Sequence, residues 1–169
     1  MRIPAIFFAS LALALISGCG YHLGSAKPAM LQNVTKIAVP TFKNKTFVSG
    51  VEVLLADATI KQFQEDGTYQ IVPDDRAQAI LYCTLERVDR RQARAVLSNV
   101  LATREFQLML RLQYEFVDRV TGATIKRGFV NADTTFFTDD DLQIDQQQAI
   151  VTAIHRAAVD LVGQCTEGF

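Results

Sequence analysis

The chain has 169 residues with 17 basic and 18 acidic side chains, a formal net charge of −1 and no tryptophan. That length suits one domain with one real core, and the balanced charge excludes the basic footprint of a nucleic-acid binder. Two histidines and three cysteines leave little material for a multi-histidine metal site.

The N-terminus carries a single basic residue, Arg2, followed by an apolar run from Ile3 to Ile16. The run has the length of the hydrophobic region of a secretory signal and is too short to stay across a bilayer. Ile16-Ser17-Gly18-Cys19-Gly20 resembles the lipobox of bacterial lipoproteins. The resemblance implies a signal peptide over 1–18, cleavage between Gly18 and Cys19, and lipid on the Cys19 sulfur and new amino terminus, palmitate included. Gly20, where an Asp would retain the protein at the inner membrane, is similar to the version sorted to the outer membrane of a Gram-negative cell. Cleavage leaves 151 residues with a formal net charge of −2. No later apolar run reaches 18 residues, so the lipid on Cys19 is the expected membrane anchor, and no other cofactor is expected.

Residues 19–33 show no period and read as the lipidated N-terminus and its tether, ahead of a domain over 34–169. Val34 to Pro40 alternates and predicts a short strand ended by Pro40. Residues 41–50 read as a loop. Val53, Ala56, Ile60 and Phe63 then recur at helical spacing, with Gly67 as the stop. A short extended piece from Tyr69 to Val72 leads to a turn at Pro73-Asp74-Asp75.

Two long strands follow. Ala79, Leu81, Cys83 and Leu85 face one way against Tyr82, Thr84, Glu86 and Arg90. Phe106, Leu108, Leu110, Leu112, Tyr114 and Phe116 are set against Glu105, Gln107, Arg111, Gln113 and Glu115. This is the signature of a sheet with one buried and one wet face. Asp118 to Gly122 predicts a tight turn, and Thr124 to Phe136 returns with Gly128, Val130, Ala132, Thr134 and Phe136 inward. Asp139-Asp140-Asp141 opens a last helix with the stripe Ile150, Ala153, Ile154, Ala157, Leu161 and Cys165. The class is therefore α+β: a four-stranded, largely antiparallel or mixed sheet with two helices on one face, in the order β-α-β-β-β-α. A strand from Ala79 to Arg91 would run about 40 Å, against about 25 Å for the first helix, so the middle hairpin is expected to project. Cys83 in a strand and Cys165 ending a helix are expected as buried thiols. A disulfide would need their Cα atoms within about 7 Å.

No nucleophile elbow, zinc-protease helix or phosphate loop is present. Asp139, Asp140, Asp141 and Asp145 lack the ligand spacing of a calcium loop and suit the start of a helix, where the dipole favours negative charge. No metal site is expected. Arg87, Arg90, Arg91, Arg94 and Arg104 bracket a connection containing Ala95, Val96, Leu97, Val100 and Leu101. Guanidinium forks match phosphate oxygens and the aliphatic residues suit acyl chains, so Arg90, Arg91, Arg94 and Arg104 form the candidate site for an anionic amphiphile. The competing reading pairs these arginines with Glu86, Asp89 and Glu105 on a solvated surface.

Cys19-Gly20-Tyr21-His22-Leu23, then Ile37-Ala38-Val39-Pro40-Thr41-Phe42-Lys43-Asn44-Lys45-Thr46, together with the element order, resemble the LptE family of lipopolysaccharide-assembly lipoproteins. An Ile-Ala-Val strand followed by Phe-x-Asn-x-Thr is also similar to activators of penicillin-binding proteins and to the curli-export pore. Membership in the LptE family implies a non-enzymatic role. It implies a lipid-anchored protein of the cell outer membrane, held within or beside the β-barrel LptD on the periplasmic side, which plugs that barrel, assists its assembly and contacts lipopolysaccharide. The wet sheet face, with Gln107, Arg111, Gln113 and Glu115, would suit the polar lumen of a barrel. The alternative is a periplasm-facing lipoprotein that activates a cell-wall synthase or serves another export complex. A tether of about 14 residues at about 3.6 Å each reaches only some 50 Å, which disfavours that role.

Overall fold

Period-two alternation becomes three long strands, and the breaks in it become the turns. The computed structural model describes residues 27–94, 104–138 and 142–167. Gly18, Cys19, the apolar residues between Ala95 and Leu101, and Asp139 to Asp141 lie outside these. The strands are β1 (Lys36–Ala38), β2 (Lys43–Asn44), β3 (Gln70–Ile71), β4 (Ala79–Arg94), β5 (Arg104–Asp118) and β6 (Thr124–Thr138), and the helices are α1 (Val51–Asp66) and α2 (Leu142–Thr166). They form one mixed sheet in the order β3-β1-β4-β5-β6, with β2 also paired to β4. β1 runs parallel to β3 and β4, and β2 parallel to β4, while β4-β5-β6 is an antiparallel meander.

The sheet has six strands rather than the expected four. The two extra strands are two-residue ladders, β2 and β3, too short to leave a periodic trace. Pro40, which has no N–H to give, lies in the gap where the chain leaves β4 after Ala38 and rejoins it at Lys43.

Both helices cover the same face, as expected, and share one core with it. In α1 the buried residues are Val51, Leu55, Ala56, Thr59 and Phe63, whereas Val53, assigned inward from its spacing, is 48% exposed. Apart from Glu52 the first turn is apolar, so periodicity alone could not choose the side; packing against the sheet does. α2 buries Ile150, Ala153, Ile154, Ala157, Leu161 and Cys165, the stripe read from the sequence, together with Ala149, Ala158 and Val162. The Tyr69 hydroxyl donates to the Cys165 carbonyl at 3.0 Å, and its ring meets Phe63 edge-on with centroids 5.9 Å apart. This joins the ends of both helices to β3.

Packing begins ahead of residue 34. Leu31 is fully buried in a short 3-10 turn over Ala29–Leu31, and Lys27 donates from Nζ to the Val34 carbonyl at 2.8 Å while lying 4.7 Å above the Tyr69 ring. The Asp118–Gly122 turn forms as expected: the Asp118 carboxylate accepts from the N–H groups of Val120 and Thr121, and Gly122 takes φ +70°.

The hairpin of β4 and β5 projects less than anticipated, because α2 is longer than α1. At 25 residues it extends about 37 Å and reaches the level of Arg90 and Phe106.

Candidate functional site

A register shift lies between Leu85 and Arg87 of β4. One extra residue there, Glu86, reverses which residues face the helices as far as Gln92, where a second shift before Arg94 follows. Arg90, expected on the wet face, is consequently on the helix face opposite Leu108. Its Nη1 donates to Gln146 Oε1 of α2 at 2.6 Å, and its guanidinium lies 5.5 Å from the Phe106 ring centre. Arg91, opposite Gln107, falls on the uncovered face and is exposed.

The four arginines of the candidate site are thereby divided. Arg94 stands opposite Glu105 and Arg104 opposite Thr138 at the far end of the ladder. Of the two whose side chains are described, both are exposed, but Arg91 lies on the uncovered sheet face and Arg90 on the helix face. Of the expected acidic partners, Asp89 lies 3.6 Å from Arg87 Nε, as the competing reading has it, whereas Glu86 pairs with Lys45 at 2.8 Å.

The uncovered face of β4-β5-β6 is the larger feature. It carries Gln107, Arg111, Gln113 and Glu115 as the alternation requires, and Gln107, Arg111 and Glu115 already engage their neighbours. Gln107 Nε2 donates to Asp133 Oδ2 at 3.1 Å, the Arg111 guanidinium sits 4.7 Å above the Phe129 ring, and the Thr124 hydroxyl donates to Glu115. Three aromatics interrupt this polar surface: Tyr82 at 43%, Phe129 at 48% and Phe137 at 60% exposure. The result is a broad, mostly polar face with isolated aromatic rings, suited to lie against a wet protein wall rather than to enclose a small substrate.

Sequence spacing missed two organising side chains. Asn44 Oδ1 accepts from the N–H and the hydroxyl of Thr46, each at 2.8 Å, while its Nδ2 donates to the Val48 carbonyl and to Glu52 Oε2 at 2.8 and 2.7 Å. Its place in Phe-x-Asn-x-Thr was the available signal, since Asn is the residue that mimics a backbone turn with its side chain. The pinned loop leaves Phe47 wholly exposed. Gln78 Oε1 accepts from the N–H groups of Thr35 and Lys36, and nothing in its local sequence marks it.

The carboxyl of Glu52 is held below its usual range by its own backbone N–H and then by the Asn44 amide. Asp118 is likewise lowered, by the N–H and hydroxyl of Thr121. Cys83 and Cys165 are free and buried, and burial raises both thiols, Cys165 to about 12. Among the described residues no three His, Cys, Asp or Glu gather in a way that could hold a metal, and no helix is long and apolar enough to cross a membrane.

The family model for lipopolysaccharide assembly, LptE, matches residues 34–165. No curated protein matches the sequence. Among solved structures, a Xanthomonas campestris protein shares the fold with a TM-score of 0.61 at 11% identity, covering 85% of this chain and 90% of that one. A Caulobacter crescentus protein described as a lipoprotein gives 0.54 at 17% identity, with 77% and 87% covered. A Helicobacter pylori protein described as a homologue of the neuraminyllactose-binding hemagglutinin gives 0.56 at 13%, with 83% and 86% covered. At such identities these likenesses concern the fold alone. The family match spans almost the whole described domain, and on that ground the chain belongs to the LptE family of lipopolysaccharide assembly.

Proposed function

We propose that the protein is a lipid-anchored component of the outer membrane that plugs the β-barrel LptD, assists its assembly and takes part in moving lipopolysaccharide to the outer leaflet. The observation that carries this reading is the family match over residues 34–165. LptE is a family of accessory lipoproteins, associated with LptD and lipopolysaccharide at the outer membrane, rather than of enzymes. The polar, uncovered sheet face supports the plug: a barrel lumen is wet, and a polar face on which Gln107 and Glu115 already have hydrogen-bond partners suits it.

Lipopolysaccharide phosphates would meet Arg91, with Arg94 and Arg104 at the end of the same hairpin. Arg90 would first have to leave Gln146. Cys19 carries the anchor in this reading, and cleavage follows Gly18.

Gentle detergent extraction of native envelopes and affinity isolation of the mature protein tests the proposal. A large outer-membrane barrel should co-purify in near-equal amount. Recovery of the protein only as a free lipoprotein would overturn the plug.

A further inference from the structure

The bulge at Glu86 does more than turn Arg90. Leu85 stands opposite Leu112, so in an unbroken ladder the next pair would be Glu86 with Arg111, opposite charges across the strands. The extra residue gives that place to Arg87 instead. Arg87 and Arg111 are therefore direct cross-strand partners on the uncovered face, where like charges on side chains about 5 Å apart at Cβ repel and destabilise the sheet.

Neither guanidinium is hydrogen-bonded to an acid among the described residues. Glu86 is held by Lys45 at 2.8 Å. Asp89, two residues along β4, stays 3.6 Å from Arg87 Nε, beyond a hydrogen bond, with the Arg87 and Asp89 side chains 64% and 36% exposed, and such a pair contributes little. Arg111 lies over the Phe129 ring at 4.7 Å, and among the described residues it pairs with no carboxylate. Stacking engages the plane of the guanidinium and leaves the N–H donors at its rim free for an acceptor. Two planar forks on facing positions suit a group with two anionic oxygens.

Charge decides which group. Glu86 and Lys45 cancel, so Arg87 and Arg111 with Asp89 leave one net positive charge. One carboxylate neutralises it, whereas a phosphate monoester, close to two negative charges at neutral pH, overfills it. Asp133 on β6, which accepts from Gln107, adds further repulsion on the same face. Arg91, the arginine that meets lipopolysaccharide in the proposed function, is four residues further along β4, about 13 Å away. The pair belongs to the broad sheet face, so its carboxylate has to come from a partner that lies flat against that face.

We infer that Arg87 and Arg111 jointly hold one Asp or Glu carboxylate on the inner wall of the barrel, a clamp that fixes how the sheet lies in the lumen. The inference rests on the plug reading. The wall shields the cluster from water, so opposed guanidinium groups that cost stability in the free protein become a favourable contact in the complex.

The test uses the full-length lipoprotein co-expressed with its barrel and isolated in mild detergent. Arg87→Lys and Arg111→Lys keep the charge and supply a primary amine, which a water-soluble carbodiimide joins to a carboxylate only where the two are in contact. Peptide mapping is expected to find position 87 or 111 linked to an acidic residue of the barrel. Arg111→Glu sets opposite charges across the ladder, so the fold keeps a favourable pair while the site loses its charge. It should cut the barrel recovered per lipoprotein by at least half, with Lys61→Glu, exposed on α1, leaving recovery unchanged. Links from positions 87 and 111 only to Glu86 or Asp89, or full recovery with Arg111→Glu, overturn the clamp and leave the plug standing. Equal loss with Lys61→Glu overturns it as well, and so does loss of bound lipopolysaccharide from Arg111→Glu with barrel recovery intact, which would assign the pair to phosphate. Absence of any barrel with the wild type overturns the plug and the clamp with it.

Discussion

Gly128 lies directly opposite Tyr114 in the β5-β6 ladder, and a Cβ on Gly128 would sit 2.8 Å from the Tyr114 hydroxyl oxygen and 2.9 Å from the ring. The phenol occupies the space that a side chain would otherwise fill, a means by which a sheet compensates for a glycine it needs. Tyr114 is itself buried at 3% exposure, so the ring has little room to give way. Gly128→Ala should destabilise the protein by about 1–3 kcal/mol through overpacking. Urea unfolding of the wild type, Gly128→Ala, Tyr114→Leu and the double variant checks it: the double variant should lose less than the two single losses together.

Asn44 should matter more than its position in a loop suggests. Asn44→Ala removes both its donors and its acceptor and is expected to cost about 1–3 kcal/mol. Asn44→Asp should be worse at neutral pH, because it keeps the acceptor for Thr46 but sets a carboxylate against Glu52 at the present 2.7 Å contact. Thermal melts at pH 7 and pH 4 distinguish the two: the Asp variant should recover relative to the Ala variant at the lower pH.

The lowered carboxyls of Glu52 and Asp118 fix the sign of the acid response. Each is depressed in the folded state from usual values of 4.5 and 3.8, so the stability it contributes is complete above those values and is lost as pH falls through the lower folded value. Stability should therefore decline as pH drops below about 4.5. Asp118→Asn keeps an acceptor for the turn and removes its titration, so its denaturation midpoint should fall less steeply between pH 4 and pH 2 than that of the wild type.

Arg90 and Arg91, adjacent in sequence, should separate in experiment. Arg90→Ala loses the Gln146 hydrogen bond and the Phe106 contact and should lower stability by about 0.5–1.5 kcal/mol, with little change for Arg91→Ala. Lipopolysaccharide binding by the purified protein should show the opposite order. Arg91→Glu is expected to weaken it severalfold, and equal affinity for wild type and Arg91→Glu would remove Arg91 from the binding site.

Cys83 and Cys165 should resist alkylation at pH 8 in the folded protein, since burial keeps both thiols protonated there. In denaturant, without reductant, both should react with iodoacetamide, read as two added carbamidomethyl groups by intact mass. No addition after unfolding would reveal a disulfide instead.

The α+β layering was legible because β5 and β6 alternate without a break, from Phe106 to Phe116 and from Gly128 to Phe136. α2 was legible for the same reason at helical period. The side of α1 was not, since Val51, Val53, Leu54 and Leu55 offer apolar atoms in every direction and only tertiary packing decides. The sequence names the candidate arginines but not their division, because a single extra residue at Glu86 leaves no mark in composition and yet turns Arg90 to the helix side of the sheet, where it stays exposed beside Gln146. Asn44 and Gln78 work through hydrogen bonds to backbone far along the chain, to which spacing rules are blind. Family membership was legible in the Ile37 to Thr46 stretch, whose Asn44 now has a structural task.

The parallel pairing of β1 with β4 has a consequence for how the chain is made. Lys36 to Ala38 has no β4 partner until Ala79 and Ile80 exist, and β2 waits still longer, for Thr84 and Leu85. The three-stranded meander, by contrast, joins neighbours and closes locally. During synthesis β1 emerges first and is completed late. A chaperone acting on the growing chain would therefore find its most persistent target in the stretch from Lys36 to Asn44.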